Sequence, residues 1–428
     1  MKYFSLREIY NGKILLYLFT VSIYLPMIFT NIISILLVLF VIINYKNFNF
    51  RALVNNRGVI AMTAYYFLIF TGFLYDINSE GIFNDLEKKL SFLVLPIAIC
   101  VIKVNKDEIR RILEIFFFSG FFFTSIAFLI STYNVLDTGN YNSIINHNLS
   151  NNIGLHATYL SMYLLFSLSY PLIYMKRVKR STDRFLVVLI SACLLTYILL
   201  LSVRIIWLLF FVLLTFEGVK LFKKNKRHLS FSIVGVLLFS AVIIYNVNPL
   251  KERFNELVNY NSEYNTSAVW KPNTKEVWGG RGIRLLIWQS CLDLIKQAPF
   301  KGYGSSIEVQ KQLDNIYIKN KIGPLLFLIN NRGKVFNPHN QYLEEVLKFG
   351  TIVGLSFIVF LWVFINSFYK TKNKAGMLFL IIITGVSLTE TVLELNKGIV
   401  FFSFFFSLLY SYLGPQKNQK FNELKLKK

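Results

Sequence analysis

Twelve apolar runs, strung one after another with only short breaks, constrain this chain more than any other feature. They are Lys13 to Phe29, Ile32 to Tyr45, Val59 to Leu74, Leu90 to Ile102, Ile112 to Ser131, Leu155 to Met175, Phe185 to Leu201, Ile205 to Phe222, Leu229 to Val247, Phe349 to Phe368, Ala375 to Leu388 and Gly398 to Leu413. A helix needs about 20 apolar residues to cross the hydrocarbon of a bilayer, and most of these runs approach that length. Composition agrees: 54% of residues are hydrophobic and mean hydropathy is +0.50, more apolar surface than a soluble fold of 428 residues can bury. The expected fold class is therefore an all-α polytopic membrane protein with about 12 transmembrane helices.

One long polar interruption breaks the series. The chain divides into residues 1–247 with spans one to nine, a large loop over 248–348, spans ten to twelve over 349–413, and a basic tail over 414–428. Orientation follows from the bias of Lys and Arg toward cytoplasmic loops. With the amino terminus inside, 28 of the 46 basic residues fall on the cytoplasmic side, and the short outer loops keep only Lys88, Lys89, Arg204 and Lys397. The remaining 14 lie in the large loop, whose length exempts it from the rule. Both termini are thus expected in the cytoplasm and the loop outside. This bias accounts for the net charge of +23, so nothing calls for nucleic acid as a partner.

The first run is followed at once by a second, without a small-residue cleavage site, so no cleavable leader is expected. Cys100 and Cys193 fall in spans and Cys291 alone in the loop, which suggests neither a disulfide framework nor a thiolate metal site. Charged residues avoid the middles of the spans. Arg204, Glu390, Glu394 and Lys397 instead mark the outer ends of spans eight, eleven and twelve. An ion-coupled transporter more often places carboxylates and broken helices at mid-membrane in two matching halves, a pattern not seen in this chain.

Within the loop, Leu285, Trp288, Cys291, Leu292 and Ile295 recur at helical spacing between Gly280 and Pro299, predicting an amphipathic helix of about four turns. Arg281 and Arg284 stand at its start, where free N–H groups and the positive end of the helix dipole favour an anion, and guanidinium adds a bidentate fork for phosphate oxygens. Gly302-Tyr303-Gly304 follows as a turn whose backbone has room to approach a ligand. Nearer span ten, Asn337-Pro338-His339-Asn340 places a histidine at a helix entrance, with Asn340 as the expected cap. The dipole there keeps the imidazole neutral and able to accept a proton, while a bound diphosphate would act the other way. His147 and His156 flank an Asn-rich outer loop, and His156 is a lesser candidate for substrate contact.

Four segments together resemble the O-antigen ligase and polymerase superfamily of bacterial envelope glycosyltransferases. Leu201-Ser202-Val203-Arg204 is similar to its Ser-x-Arg helix start. Arg284-Leu285-Leu286-Ile287-Trp288, with Pro299 and Gly302-Tyr303-Gly304 behind it, is similar to its Arg-x-x-x-Trp, Pro and Gly-x-Gly series. His339-Asn340-Gln341-Tyr342-Leu343, ahead of Gly350 and Gly354, is similar to its His-Asn-x-x-Leu motif, and Glu390 to Gly398 resembles its turn before the last helix.

The resemblance implies a GT-C-like bundle in the bacterial inner membrane, with the large loop in the periplasm. Such a protein takes a glycan from an undecaprenyl diphosphate carrier and passes it to lipid A core, or, as a polymerase, to another lipid-linked repeat. No nucleotide sugar, metal or other cofactor is implied, and membrane lipids are the remaining partners. His339 would be the general base, and Arg284 and Arg204 would clamp the diphosphate. Arg281, Asn340, Gly302, Gly304 and His156 would assist binding. A lipid or solute transporter is the alternative of a different class.

Overall fold

The computed structural model describes residues 6–45, 56–74, 80–223, 280–320 and 336–411, with a few isolated positions besides. Most of these residues are helical, with no strand among them. Most of span nine, His228 and residues 252–279 and 327–335 of the loop lie outside the described residues. The chain is a membrane protein, and three helices are individually long and apolar enough to cross a bilayer: Lys106–Thr138, Ser181–Leu200 and Gln341–Lys370. Shorter apolar helices pack around them.

The first two helices, α1 (Leu6–Ser22) and α2 (Met27–Ile43), form a hairpin. Its turn lies inside the first expected span: Pro26 fixes an extended backbone just before α2, so the run Lys13 to Phe29 cannot be one helix. Next come α3 (Arg57–Leu68), the polar α4 (Glu80–Lys89) and α5 (Ser91–Ile102). Asn105 then caps α6 (Lys106–Thr138) in a reciprocal box with Glu108. A short α7 (Asn146–Asn151) leads to the sixth expected span, which is divided at Leu168 into α8 (Ala157–Ser167) and α9 (Ser169–Tyr174). Pro171 explains the break, because its ring has no N–H and crowds the carbonyl of Ser167. The next pair is α10 (Ser181–Leu200) and α11 (Arg204–Lys223).

The loop helices α12 (Gly280–Gln297) and α13 (Ser306–Lys319) form a small apolar core of their own around Ile287, Cys291, Leu294, Leu313 and Tyr317. The buried stripe is rotated from the expected one. Leu286, Ile287 and Leu294 face inward, while Leu285 and Leu292 are exposed, because α13 covers the other side of α12. The chain closes with α14 (Gln341–Lys370), α15 (Lys374–Val386) and α16 (Asn396–Ser411). Helix α16 is buried on all sides: Phe401, Phe402, Phe404, Phe405 and Phe406 are nearly or fully shielded, and a helix apolar all round belongs at the centre.

Helix α14 is broken at Gly350, whose backbone (φ 78°) is left-handed. The loop fills the break: Tyr303 N–H donates to the Leu347 carbonyl (2.7 Å), Gly304 N–H to that of Lys348 (2.9 Å), and Thr351 N–H to that of Pro299 (2.8 Å). Backbone groups freed in an apolar setting must find partners within the protein, and here the turn after α12 supplies them. A Cβ on Gly350 would lie 2.1 Å from the Phe300 carbonyl oxygen, so the close approach requires glycine. The loop domain and the bundle are thereby joined at this break.

Candidate functional site

His339 sits at the end of a short segment that the sequence makes rigid. Asn337 accepts the His339 N–H on its side-chain oxygen (3.0 Å) and donates through Nδ2 to the Thr391 hydroxyl (3.2 Å). The Pro338 carbonyl accepts from the Trp288 indole (2.9 Å), which ties α12 to the segment. Asn340 caps α14 by accepting from the Tyr342 and Leu343 N–H groups and donates its amide to the Leu388 carbonyl. His339 itself has φ +45°, an uncommon left-handed conformation for a residue with a side chain. Its neighbours hold it there from both sides.

Opposite His339 lies the turn 387–395 between α15 and α16, which is bound to the start of α14. Gln341 N–H donates to the Ser387 carbonyl (2.9 Å), and the Gln341 side-chain oxygen accepts the Leu393 N–H (2.7 Å). This turn presents Glu390. One carboxylate oxygen stands 3.5 Å from His339 Nδ1, and the other accepts from Arg284 Nη2 at 3.2 Å. Burial pushes the Glu390 carboxyl up, but His339, Arg284 and His156 together hold it below the ordinary range, so it is an anion. His339 and Arg284, 55 positions apart in sequence, therefore share one carboxylate.

The other candidates fall at varying distance from this triad. His156 caps α8 by accepting the Thr158 N–H on Nδ1, and its ring lies 4.3 Å from that of His147. Burial pushes the His156 imidazole down, offset by Glu390 and reinforced by His339, which keeps the ring neutral. Arg204 opens α11, and Leu209 of that helix packs against Gly385 near the end of α15. Five residues of helix span about 7 Å, which brings Arg204 to the same end of the bundle as Glu390. Arg281 lies in the first turn of α12, but its side chain is outside the described residues. Gly302 and Gly304 are both left-handed, and their close neighbour is the backbone of Lys348 to Gly350. Among the described residues no three His, Cys, Asp or Glu side chains group as a metal site.

A second charged cluster, not anticipated from the sequence, lies under the same turn. Lys348 Nζ is 2.7 Å from Asp85 and 3.3 Å from Glu394, and Lys89 Nζ is 2.6 Å from Glu394. The Ser306 hydroxyl stands between Asp85 (2.9 Å) and Glu394 (2.6 Å), and its N–H donates to Asp85 at the start of α13. Both lysine side chains are fully shielded from solvent. Burial raises the Asp85 and Glu394 carboxyls, yet Lys348 and Lys89 outweigh it and hold both below the ordinary range. The signal available in the sequence was the pair of carboxylates, Glu390 and Glu394, in an otherwise apolar stretch.

Fold and site together define an integral membrane protein whose imidazole, guanidinium and carboxylate groups converge at one end of a helical bundle. The family model described as O-antigen ligase matches residues 189–358, and over that stretch the chain is similar to the O-antigen ligase and polymerase superfamily. The matched stretch contains Arg204, Arg284 and His339, and ends before Glu390. No curated protein matches the chain.

Proposed function

We propose that this protein transfers an O-antigen-like polysaccharide from an undecaprenyl diphosphate carrier to a hydroxyl of lipid A core. It would act in the bacterial inner membrane, with the triad on the periplasmic side and both termini in the cytoplasm. The acceptor hydroxyl gives its proton to His339 Nε2 as its oxygen bonds to the anomeric carbon. The bond from that carbon to the diphosphate oxygen breaks, and undecaprenyl diphosphate leaves with the bonding electron pair. A single displacement inverts the anomeric centre.

Glu390 carries this reading. By facing Nδ1, it favours the tautomer that leaves Nε2 as the proton acceptor, and its charge stabilises the imidazolium that forms. Arg284 has five N–H donors and spends one on Glu390, so most of its fork remains for a phosphate oxygen. Arg204 at the same end of the bundle would extend the positive lining for the leaving group, and Arg281 is proposed to help bind the carrier. Asn340, Gly302 and Gly304 support the site through the backbone contacts already described, and His156 borders it.

In proteoliposomes supplied with lipid-linked glycan, His339→Ala should abolish transfer while the protein remains folded. Full activity in that variant would refute the assignment. A polymerase would use the same chemistry with a second lipid-linked repeat as acceptor. A deletion strain distinguishes the two, since loss of a ligase leaves long glycan on its carrier and loss of a polymerase leaves single repeats.

A further inference from the structure

At the far end of the bundle from His339, a cavity of about 350 Å³ opens between α6, the turn after α9 and the start of α10. Its far-end position follows from α8 and α9, which run from His156 at the triad to Tyr174 at the cavity wall. The polar half of the lining holds Arg110, Arg177 and Lys179 against the carboxylates of Glu114 and Asp183. The Arg110 Nε is buried and has no hydrogen-bond partner, which is costly for a cationic group unless something else approaches it. Glu114 does not fill that role; it accepts the Tyr170 hydroxyl at 2.9 Å. Arg177 lies over the Tyr174 ring, 5.6 Å from its centre, and Arg184 Nε donates to the Val178 carbonyl, fixing the cavity's loop wall.

The other half of the lining is apolar and continues onto the outside of the bundle. Phe118 and Leu186 line the cavity and are also exposed, and Phe185, Val188 and Leu189 extend the same apolar strip along α10. A free phosphate would find cations here but no use for that strip. An anionic headgroup with acyl chains matches both halves, and basic pockets between transmembrane helices are recognised headgroup sites.

We propose that this cavity binds the phosphate of an anionic phospholipid, with Arg110 and Arg177 on the headgroup and an acyl chain laid along Phe118 and Leu186. The site is separate from the transfer site and does not depend on the function proposed for it.

Native mass spectrometry of the full-length protein in neutral detergent, mixed with phosphatidylglycerol or phosphatidylcholine, tests this. The wild type should retain phosphatidylglycerol over phosphatidylcholine by about tenfold or more, in line with the one to two charge-assisted contacts on offer. Arg110→Gln and Arg177→Gln should each reduce that preference about fivefold or more. Lys370→Gln, which removes an exposed charge from the same end of the bundle, should not change it. Arg177 is exposed, so its variant keeps the test valid if Arg110→Gln does not fold. Equal retention of the two lipids, an equal effect of Lys370→Gln, or displacement of phosphatidylglycerol by equimolar inorganic phosphate would each overturn the proposal.

Discussion

Replacing Glu390 by glutamine keeps the shape of the side chain and removes its charge, which isolates what the carboxylate contributes through His339. At the observed 3.5 Å, a unit charge pair in an effective dielectric of about 20 is worth roughly 4–5 kcal/mol. His339 is 32% exposed and Glu390 15%, so solvent screens part of this and about 2–3 kcal/mol would remain for the imidazolium formed during the proposed transfer. The rate should fall about 30- to 150-fold. The assay is glycan transfer in proteoliposomes at saturating donor, followed as loss of lipid-linked glycan. On the proposed mechanism Glu390 acts through the imidazole, so adding Glu390→Gln to His339→Ala should lower the residual rate little further. A single variant within threefold of wild type, or losses that multiply in the double variant, would falsify the orienting role.

The buried cluster makes a stability prediction. Lys348→Met leaves Asp85 and Glu394 with Lys89 alone in a site closed to solvent, and stranding a buried charge costs about 3–5 kcal/mol. Thermal unfolding, read by the reaction of the buried Cys291 thiol with a fluorogenic maleimide, should shift down by several degrees, and Lys348→Met with Asp85→Asn should recover part of the loss. Gly350→Ala should destabilise by at least about 1–3 kcal/mol in the same assay, since the new Cβ meets the Phe300 carbonyl at a left-handed position. Glu390 also sets a pH window. Its folded pKa lies below the ordinary carboxylate value of about 4.3, so its stabilisation is complete above that value and is lost as pH falls through the lowered one. The difference in unfolding temperature between wild type and Glu390→Gln should close as the pH falls below about 4.

Much of this was legible in the sequence because bilayer helices announce themselves by apolar length, and caps and prolines by residue type. The all-helical class, the helix ending before Pro299 and the Asn340 cap all follow from local rules. Helix breaks were harder to read. Hydropathy alone cannot distinguish Pro26, which ends a hairpin inside an apolar run, from Pro96, which α5 accommodates within its length. The buried face of α12 was misjudged by about one residue for a similar reason: the stripe depends on where α13 lies, and no local pattern records that. The partner of His339 was hidden by distance along the chain. Glu390 is 51 residues beyond it, and only the folding of turn 387–395 onto the start of α14 brings them together.

That turn also explains why charges lie so close beneath the site. Nine residues between two apolar helices have little regular structure of their own to fix a carboxylate to within half an ångström. Here the turn is held on one flank by Asn337, Asn340 and Gln341, and on the other by Lys89 and Lys348 through Glu394. The two lysines come from α4 and α14, so the contact also locks the loop helices to the bundle through Ser306. The proposed base, held in a strained left-handed conformation, and the proposed orienting carboxylate, held in a turn, each need such support, because neither would keep its position alone. It follows that Lys348→Met should reduce transfer even under conditions where the protein remains fully folded. Its loss should show in kcat rather than KM, because what fails is the placement of Glu390 against His339 and not the affinity of the arginines for diphosphate. A Lys348→Met protein with wild-type kcat and a lowered unfolding temperature would confine the cluster to a structural role and separate it from the chemistry.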